Sequence, residues 1–231
     1  MALPLLNETP LYTMTVPSTG KKIKYRPYLV KEEKVLLMAN ESQDKEQILN
    51  AIIDTITACT DGKVKTDDLT TFDMEYIFIK LRAKSVGETV TLYLPCDSCK
   101  QRNEVMFNLD DVQCPVDKDA SNMIQINKDI YVEMRYPNYR QIETSEDQGE
   151  IAFNIIASCL KAVITEDERI DLDDETPSEI KRFLDSMTTE QFRKVSEFVK
   201  KMPRVEYTIE FDCSACSHHN EIEIKGMQNF F

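Results

Sequence analysis

Residues 94–104, "LPCDSCKQRNE", hold two cysteines three positions apart, and the residues before and after them have the alternating pattern of β-strands. The same arrangement returns 117 positions later in residues 210–221, "EFDCSACSHHNE". Two hairpin tips with the same sequence pattern in one chain indicate a single site shared between two related halves. The residue pairs related by this offset include Cys96 and Cys213, Cys99 and Cys216, and Asn103 and Asn220.

Other segments also recur in the same order. Each half reads as a β-hairpin, then an apolar-faced helix, then a helix that follows a Thr-Thr pair, then a strand, a cysteine knuckle and a strand. The matching segments are 11–29 with 123–137, 47–59 with 150–164, and 69–83 with 187–202. The sequence therefore predicts an α+β fold built by tandem duplication, with repeats at 1–115 and 116–231. Chance similarity between two α/β segments is the alternative.

Several helix boundaries can be predicted from local sequence. Thr70 with Asp73 three residues later has the pattern of a helix cap. Thr176, Pro177 and Glu179 supply a cap, a proline at the first helical position and an acid at the third. The acidic segment 166–175 before them is predicted to be a solvated loop, since it lacks the central glycine of a calcium-binding loop.

Composition limits the classes of partner. The 231-residue chain carries 28 basic and 41 acidic residues, a net charge of −13, which argues against binding nucleic acid or anionic lipid. No stretch approaches the 18 apolar residues of a membrane span. The first ten residues, "MALPLLNETP", lack the basic and apolar regions of a secretion signal.

Seven cysteines in a chain without export features fit a reducing compartment, where paired thiols more often bind metal than form disulfides.

The two Cys-x-x-Cys pairs are predicted to form one metal site. Thiolates suit zinc, which takes four ligands in a tetrahedron, and a site with four protein ligands is structural because it has no open position. Three alternatives remain: a redox dithiol, which usually begins a helix; a four-cysteine iron site; and cysteines that only pack or stay free. The predicted ligands of the structural Zn²⁺ are Cys96, Cys99, Cys213 and Cys216.

The sequence contains no recognisable catalytic constellation. His218 and His219 are the only histidines, and they lie beside the second knuckle, where a polar hairpin tip is the expected role. Cys59 and Cys159 fall on apolar helical faces and are predicted to be buried. No Ser-His-Asp or Cys-His arrangement and no Gly-rich phosphate loop is present, so the sequence predicts neither an enzyme nor a small-molecule substrate.

Residues 16–39, "VPSTGKKIKYRPYLVKEEKVLLMA", combine a turn, a strand that ends in Arg-Pro and a Lys-Glu-Glu helix. In this combination the chain resembles the baseplate hub protein family of T-even-like contractile-tailed bacteriophages. The resemblance implies a non-enzymatic structural or assembly protein of the tail baseplate hub whose partners are other hub proteins. It also implies a place in the host cytoplasm during assembly, and either a component of the finished virion or a factor that leaves it.

A second function class stays open. A zinc-ribbon adaptor or regulator that contacts nucleic acid would need basic and aromatic residues around the knuckles. Lys100 and Arg102 flank the first knuckle, but the second has no lysine or arginine. Under the hub interpretation, the expected contact surfaces are strand edges, the acidic segment 166–175 and the apolar C-terminal segment 226–231, "GMQNFF".

Overall fold

The computed structural model describes residues 9–117, 120–142 and 148–226. Residues 1–8, which hold most of the segment tested for a secretion signal, and 227–231, which hold the apolar C-terminal contact segment, lie outside the described residues. The α-helices are α1 Val30–Ser42, α2 Lys45–Cys59, α3 Thr71–Ser85, α4 Gln148–Cys159, α5 Pro177–Asp185 and α6 Thr189–Lys200. The β-strands are β1 Tyr12–Thr15, β2 Lys22–Tyr25, β3 Thr89–Pro95, β4 Arg102–Asn108, β5 Met123–Gln125, β6 Tyr131–Met134, β7 Leu160–Ile164, β8 Arg169–Asp171, β9 Glu206–Asp212 and β10 His219–Lys225. This mixture of helices and antiparallel strands confirms the predicted α+β class.

The chain forms two compact units. Unit 1 comprises Met1–Val116 and Arg204–Phe231, and unit 2 comprises Asp117–Pro203. The first boundary lies one residue beyond the predicted end of the first repeat, but the β9–β10 hairpin of the second repeat belongs to unit 1. The repeats are defined by sequence similarity, whereas the units are defined by contacts in the structure. The unit boundaries therefore do not test the repeats at 1–115 and 116–231, which stay a prediction.

Unit 1 contains three two-stranded antiparallel hairpins, β1–β2, β3–β4 and β9–β10, together with helices α1 to α3. Alternate residues of β3, β4, β9 and β10 point into one apolar cluster, as strand geometry requires when one face is buried. The buried members of this cluster are Ile79, Ala83, Val90, Val105, Phe107, Leu109, Val112, Val205, Ile209 and Ile224. The cluster joins the two knuckle hairpins below their tips.

Unit 2 is built around an antiparallel four-stranded sheet in the order β5-β6-β7-β8. Its buried core includes residues from the sheet and from α4, α5 and α6. The sequence predicts a helix over 150–164, but the helix ends at Cys159 and residues Leu160–Ile164 form β7. Val132 of β6 lies opposite Val163 of β7, so β-branched residues there pack across the strands.

The acidic segment 166–175 also differs from its prediction as a simple loop. Strand β8, Arg169–Asp171, pairs antiparallel with β7. The N–H of Thr165 donates to the carbonyl of Glu168 and closes the turn between the two strands. Arg169 forms an ion pair with Glu133 of β6, which places a basic residue over the sheet within this acidic stretch.

The predicted helix starts are confirmed. Thr70 and Asp73 form a reciprocal capping box at the start of α3, and Thr176 and Glu179 form another at the start of α5, which has Pro177 in its first turn. Each box satisfies backbone N–H groups that have no partner inside the helix. No described helix has the length and apolar content that a membrane crossing requires.

The same joint occurs once in each predicted repeat. The N–H of Arg26, after β2, donates to the carbonyl of Cys59 at the end of α2, with an N···O distance of 2.9 Å. The N–H of Arg135, after β6, donates to the carbonyl of Cys159 at the end of α4 at 2.7 Å. Both cysteines are buried, as predicted. A hairpin fixed to a helix end by equivalent bonds is what a duplication would produce.

Candidate metal centre

Each cysteine pair lies at the tip of an antiparallel hairpin. Strand β3 pairs with β4 from Thr89 and Asn108 to Pro95 and Arg102, and β9 pairs with β10 in the register displaced by 117 residues. The first cysteine follows directly after the incoming strand. The local backbone therefore aims both sulfurs of a pair beyond the end of the ladder.

The two tips have the same backbone hydrogen bonds. The N–H of Cys96 donates to the carbonyl of Gln101 at 2.8 Å, and the N–H of Cys213 donates to the carbonyl of His218 at 2.9 Å. Lys100 and Ser217 occupy the left-handed region, with φ of 62° and 56°. That conformation costs a residue with a side chain about 1–2 kcal/mol, so the tight tip is stabilised by the surrounding bonds.

The two tips bring all four predicted ligands together. The Cys96 and Cys216 sulfurs are 3.8 Å apart, the Cys99 and Cys213 sulfurs are 3.6 Å apart, and all four lie within 4.8 Å of one another. Tetrahedral coordination with metal–sulfur bonds of about 2.3 Å places the sulfurs about 3.8 Å apart. A disulfide would bring two of them to about 2.05 Å. The spacing fits one metal ion held by four thiolates.

Burial divides each pair in the same way. Cys96 and Cys213 are 0% and 3% exposed, whereas Cys99 and Cys216 are exposed to solvent. The first sulfur of each pair thus faces the protein and the second faces outwards. An ion could reach this cluster from solvent without opening the core, which is a requirement for a credible metal site.

Backbone amides favour the thiolate form of the inner cysteines. The N–H groups of Ala215 and Cys216 donate to Cys213 and lower the pKa of its thiol to about 6. Burial acts to raise the pKa of Cys96, but the N–H groups of Cys99 and Ser98 outweigh it, so that this pKa is also lowered. A metal needs its cysteine ligands deprotonated, and amide donors at the tips stabilise that form.

The outer cysteine of the second tip behaves differently. The N–H of His218 acts to lower the pKa of Cys216, but hydrogen bonds with Cys99, Cys213 and Cys96 outweigh it and raise this pKa to about 12. Four sulfurs at this distance cannot all carry charge without a compensating cation, since like charges close together disfavour ionisation. A bound metal ion would supply that positive charge.

Two buried asparagines connect the tips. Asn103 Oδ1 accepts hydrogen bonds from the N–H and the hydroxyl of Ser214, both at 2.9 Å. Asn220 Oδ1 accepts the N–H of Asp97 at 2.9 Å. Asn103 is displaced by 117 residues from Asn220, and Asp97 by the same number from Ser214, so the contact is reciprocal like that of a twofold interface. The sequence shows the matched asparagines, but not that each reaches the other hairpin.

The histidines are not part of the sulfur cluster. The group of residues able to hold a metal comprises the four cysteines alone within the part of the chain that the structure describes. His219 Nδ1 lies 2.9 Å from Asp212 Oδ1, and this hydrogen bond raises the pKa of the exposed imidazole. The second tip carries a polar surface here, as the sequence predicts. Neither cysteine pair begins a helix, which is the placement that favours redox dithiols.

Residues 9–231 match the protein-family model described as T4 bacteriophage base plate protein. The chain belongs to this family. The match confirms the predicted relationship to T4-like phage baseplates, and it makes the chain a baseplate structural protein that interacts with other baseplate proteins. No curated protein and no solved structure shows significant similarity to the chain.

Proposed function

We propose that this baseplate protein is a non-enzymatic structural or assembly component of the baseplate hub, which binds other hub proteins and is stabilised by one structural Zn²⁺. The family match across residues 9–231 is the observation that carries the baseplate role. The hub assignment rests on the resemblance of residues 16–39 to hub proteins. The chain then acts in the host cytoplasm during assembly, and it either stays in the virion tail as a component or leaves as an assembly factor.

The proposed zinc ligands are Cys96, Cys99, Cys213 and Cys216. Their sulfur spacing supports a single tetrahedral ion, and thiolate ligands favour zinc among the common cellular metals, although a four-cysteine iron site would use the same spacing. One ion would join hairpins that are separated by 113 residues between Cys99 and Cys213. Closing so long a loop reduces the freedom of the unfolded chain, and the binding energy adds directly to folding stability.

Elemental analysis of the purified protein tests the metal. We expect about one zinc and no iron per chain. Two zinc ions per chain would mean that each knuckle recruits ligands separately, and iron would replace the assignment. The variant Cys114→Ser is the matched control, because Cys114 lies in unit 1 outside the sulfur cluster and should leave the metal content unchanged.

The hub role is tested by co-expression of the tagged chain with individual baseplate hub proteins of the same phage. We expect at least one to copurify as a defined complex whose absorbance ratio at 260 and 280 nm shows no nucleic acid. Mass spectrometry of purified tails then separates a virion component from an assembly factor that leaves. Copurification of nucleic acid without any baseplate protein would favour the zinc-ribbon regulator instead.

The charge of the second knuckle supports the protein-binding role over the nucleic-acid role. The outward face of β9–β10 carries Glu210, Glu221 and Glu223, all exposed. Glu210 lies directly opposite Glu221, and like charges in this position repel each other. Phosphate groups approaching this face would meet further repulsion, since nucleic-acid binding depends on clustered basic residues.

A further inference from the structure

Asn103 and Asn220 are placed where a polar side chain is costly unless it is fully bonded. They are 6% and 1% exposed. Each amide NH₂ group donates to a carbonyl two residues earlier on the same hairpin, Asn103 to Gln101 at 2.9 Å and Asn220 to His218 at 2.8 Å. Each amide oxygen accepts from the opposite tip, so burial is compensated at both ends.

The same two amides also reach the sulfurs. Asn103 Nδ2 lies 3.7 Å from the sulfur of Cys213 in the opposite knuckle. Asn220 occupies the equivalent place beside Cys96 in the first knuckle, where its Oδ1 accepts the N–H of Asp97 at 2.9 Å and its side chain favours the thiolate form of Cys96. Each asparagine therefore contacts the inner cysteine of the other hairpin. Its amide oxygen also accepts the N–H of the residue that follows that cysteine.

These contacts bear on the charge of the metal centre. Four thiolates with a divalent ion leave two net negative charges, which N–H donors directed at sulfur stabilise. Groups that hydrogen-bond metal ligands also fix the orientation of those ligands, and their loss typically lowers metal affinity by about 10- to 100-fold.

We propose that Asn103 and Asn220 are positioning residues of the metal centre. Each fixes the knuckle opposite its own and donates a hydrogen bond to the inner thiolate of that knuckle. This inference rests on the proposed metal site and adds two residues that act on the metal through its ligands.

The substitution Asn103→Asp separates positioning from folding. The carboxylate keeps an acceptor for the N–H and hydroxyl of Ser214, but it removes the donor to sulfur and adds a negative charge beside it. Asn108→Asp is the matched control, because it makes the same change on β4 about 17 Å along the strand. Asn108 Oδ1 accepts the N–H of Asp110 at 2.8 Å, and an aspartate oxygen can accept the same bond.

Zinc affinity is measured by competition with a chromophoric chelator, and the Co²⁺-substituted protein reports ligand geometry through its absorption bands. We expect Asn103→Asp to bind Zn²⁺ about 10- to 100-fold more weakly than Asn108→Asp and to shift the Co²⁺ bands. Asn103→Asp also loses the hydrogen bond to the Gln101 carbonyl, so its metal-free form should be less stable than that of Asn108→Asp, and the loss of stability should be larger when Zn²⁺ is bound. Asn220→Asp is expected to weaken zinc binding similarly and supplies an independent measurement if one variant folds poorly.

Equal zinc affinity in Asn103→Asp, Asn220→Asp and Asn108→Asp would overturn the inference while leaving the zinc site intact. Loss of stability to the same extent with and without metal would also overturn it, because that result describes a purely structural residue. Wild-type protein that retains no metal under conditions where it folds would overturn both the metal site and this inference.

Discussion

At the scale of single residues, Asp73 shows how one carboxylate joins distant parts of unit 1. The carboxylate accepts the N–H of Ser18 at 2.9 Å and its hydroxyl at 2.5 Å, and it also accepts the N–H and hydroxyl of Thr70. Asp73 is fully buried. It therefore fixes the β1–β2 turn to the start of α3 while it completes the helix cap.

We expect Asp73→Asn to lower the free energy of unfolding by about 1–3 kcal/mol, since the amide nitrogen cannot accept and leaves half-buried donors of Ser18 and Thr70 without a partner. Urea denaturation followed by circular dichroism measures the change. Asp54→Asn is the control, because Asp54 is exposed on α2 and its substitution should cost less than about 0.5 kcal/mol. Similar losses in both variants would show that the four hydrogen bonds contribute little.

Glu133 gives unit 2 a pH-dependent contribution. Hydrogen bonds from Lys161, at 2.9 Å, and from Arg169 lower the pKa of its carboxyl group below the ordinary value of 4.5. A carboxylate whose pKa is lower in the folded state stabilises the protein above its unfolded pKa. That stability is lost as the pH falls through the folded value.

We expect Glu133→Gln to be less stable than wild type by up to about 1 kcal/mol at neutral pH, a modest effect because both cations are partly exposed to solvent. The difference should shrink as the pH falls through the lowered pKa of the Glu133 carboxyl group, because the wild-type side chain then loses its charge. Thermal unfolding across this pH range measures it. A difference that stays constant down to the acidic end would point to packing instead of charge.

At the scale of elements, the two knuckle hairpins share a fold but differ on their outward faces. Tyr93 and Met106 are 64% and 69% exposed on β3–β4, and the positions displaced by 117 residues carry Glu210 and Glu223. The hairpin backbone is therefore compatible with glutamate at both places.

We expect the double variant Tyr93→Glu, Met106→Glu to cost less than about 1 kcal/mol, the range for a like-charge pair on a strand, because Glu104 would then face a second glutamate as Glu221 faces Glu210. Chemical denaturation measures the change. Val105→Glu on the buried face of β4 should cost at least about 2 kcal/mol. A large loss from the outward pair would show that the two hairpins are not equivalent.

Elements differ in how far the sequence predicts them. The starts of α3 and α5 were predictable because a cap and its partner lie three residues apart, so the decisive contact is local. Strand β7 was not predictable in this way. The apolar run through Cys159 fits a helix and a buried strand equally, and only pairing with β6 and β8 decides between them.

The residues of the candidate metal site also differ in how far the sequence predicts them. The four cysteines were predictable from their spacing and their repeat, which depend on the sequence alone. The role of Asn103 and Asn220 depends on how two hairpins 117 residues apart face each other, and no local pattern encodes that orientation. The signal available in the sequence was a pair of asparagines at equivalent positions, each four residues after the second cysteine of its knuckle.

At the scale of the whole molecule, the second knuckle hairpin completes unit 1 although it follows unit 2 in the chain. The shared metal site would thus join the two ends of unit 1 across the insertion of residues 117–203. The apolar cluster beneath the tips makes the same connection without metal. Metal and core are therefore expected to stabilise one unit together, while unit 2 depends on its own core.

Removal of zinc by a chelator should consequently loosen residues 89–116 and 204–226 and leave 123–142 and 148–200 unchanged. We expect amide hydrogen exchange, followed by mass spectrometry, to accelerate at least about tenfold in the first two segments only. Cys96→Ser and Cys213→Ser should each reproduce this pattern in both hairpins if the two knuckles hold one ion as proposed, whereas Cys114→Ser should not. Faster exchange confined to β3–β4 in Cys96→Ser, with β9–β10 protected, would mean that the two knuckles do not hold a common ion.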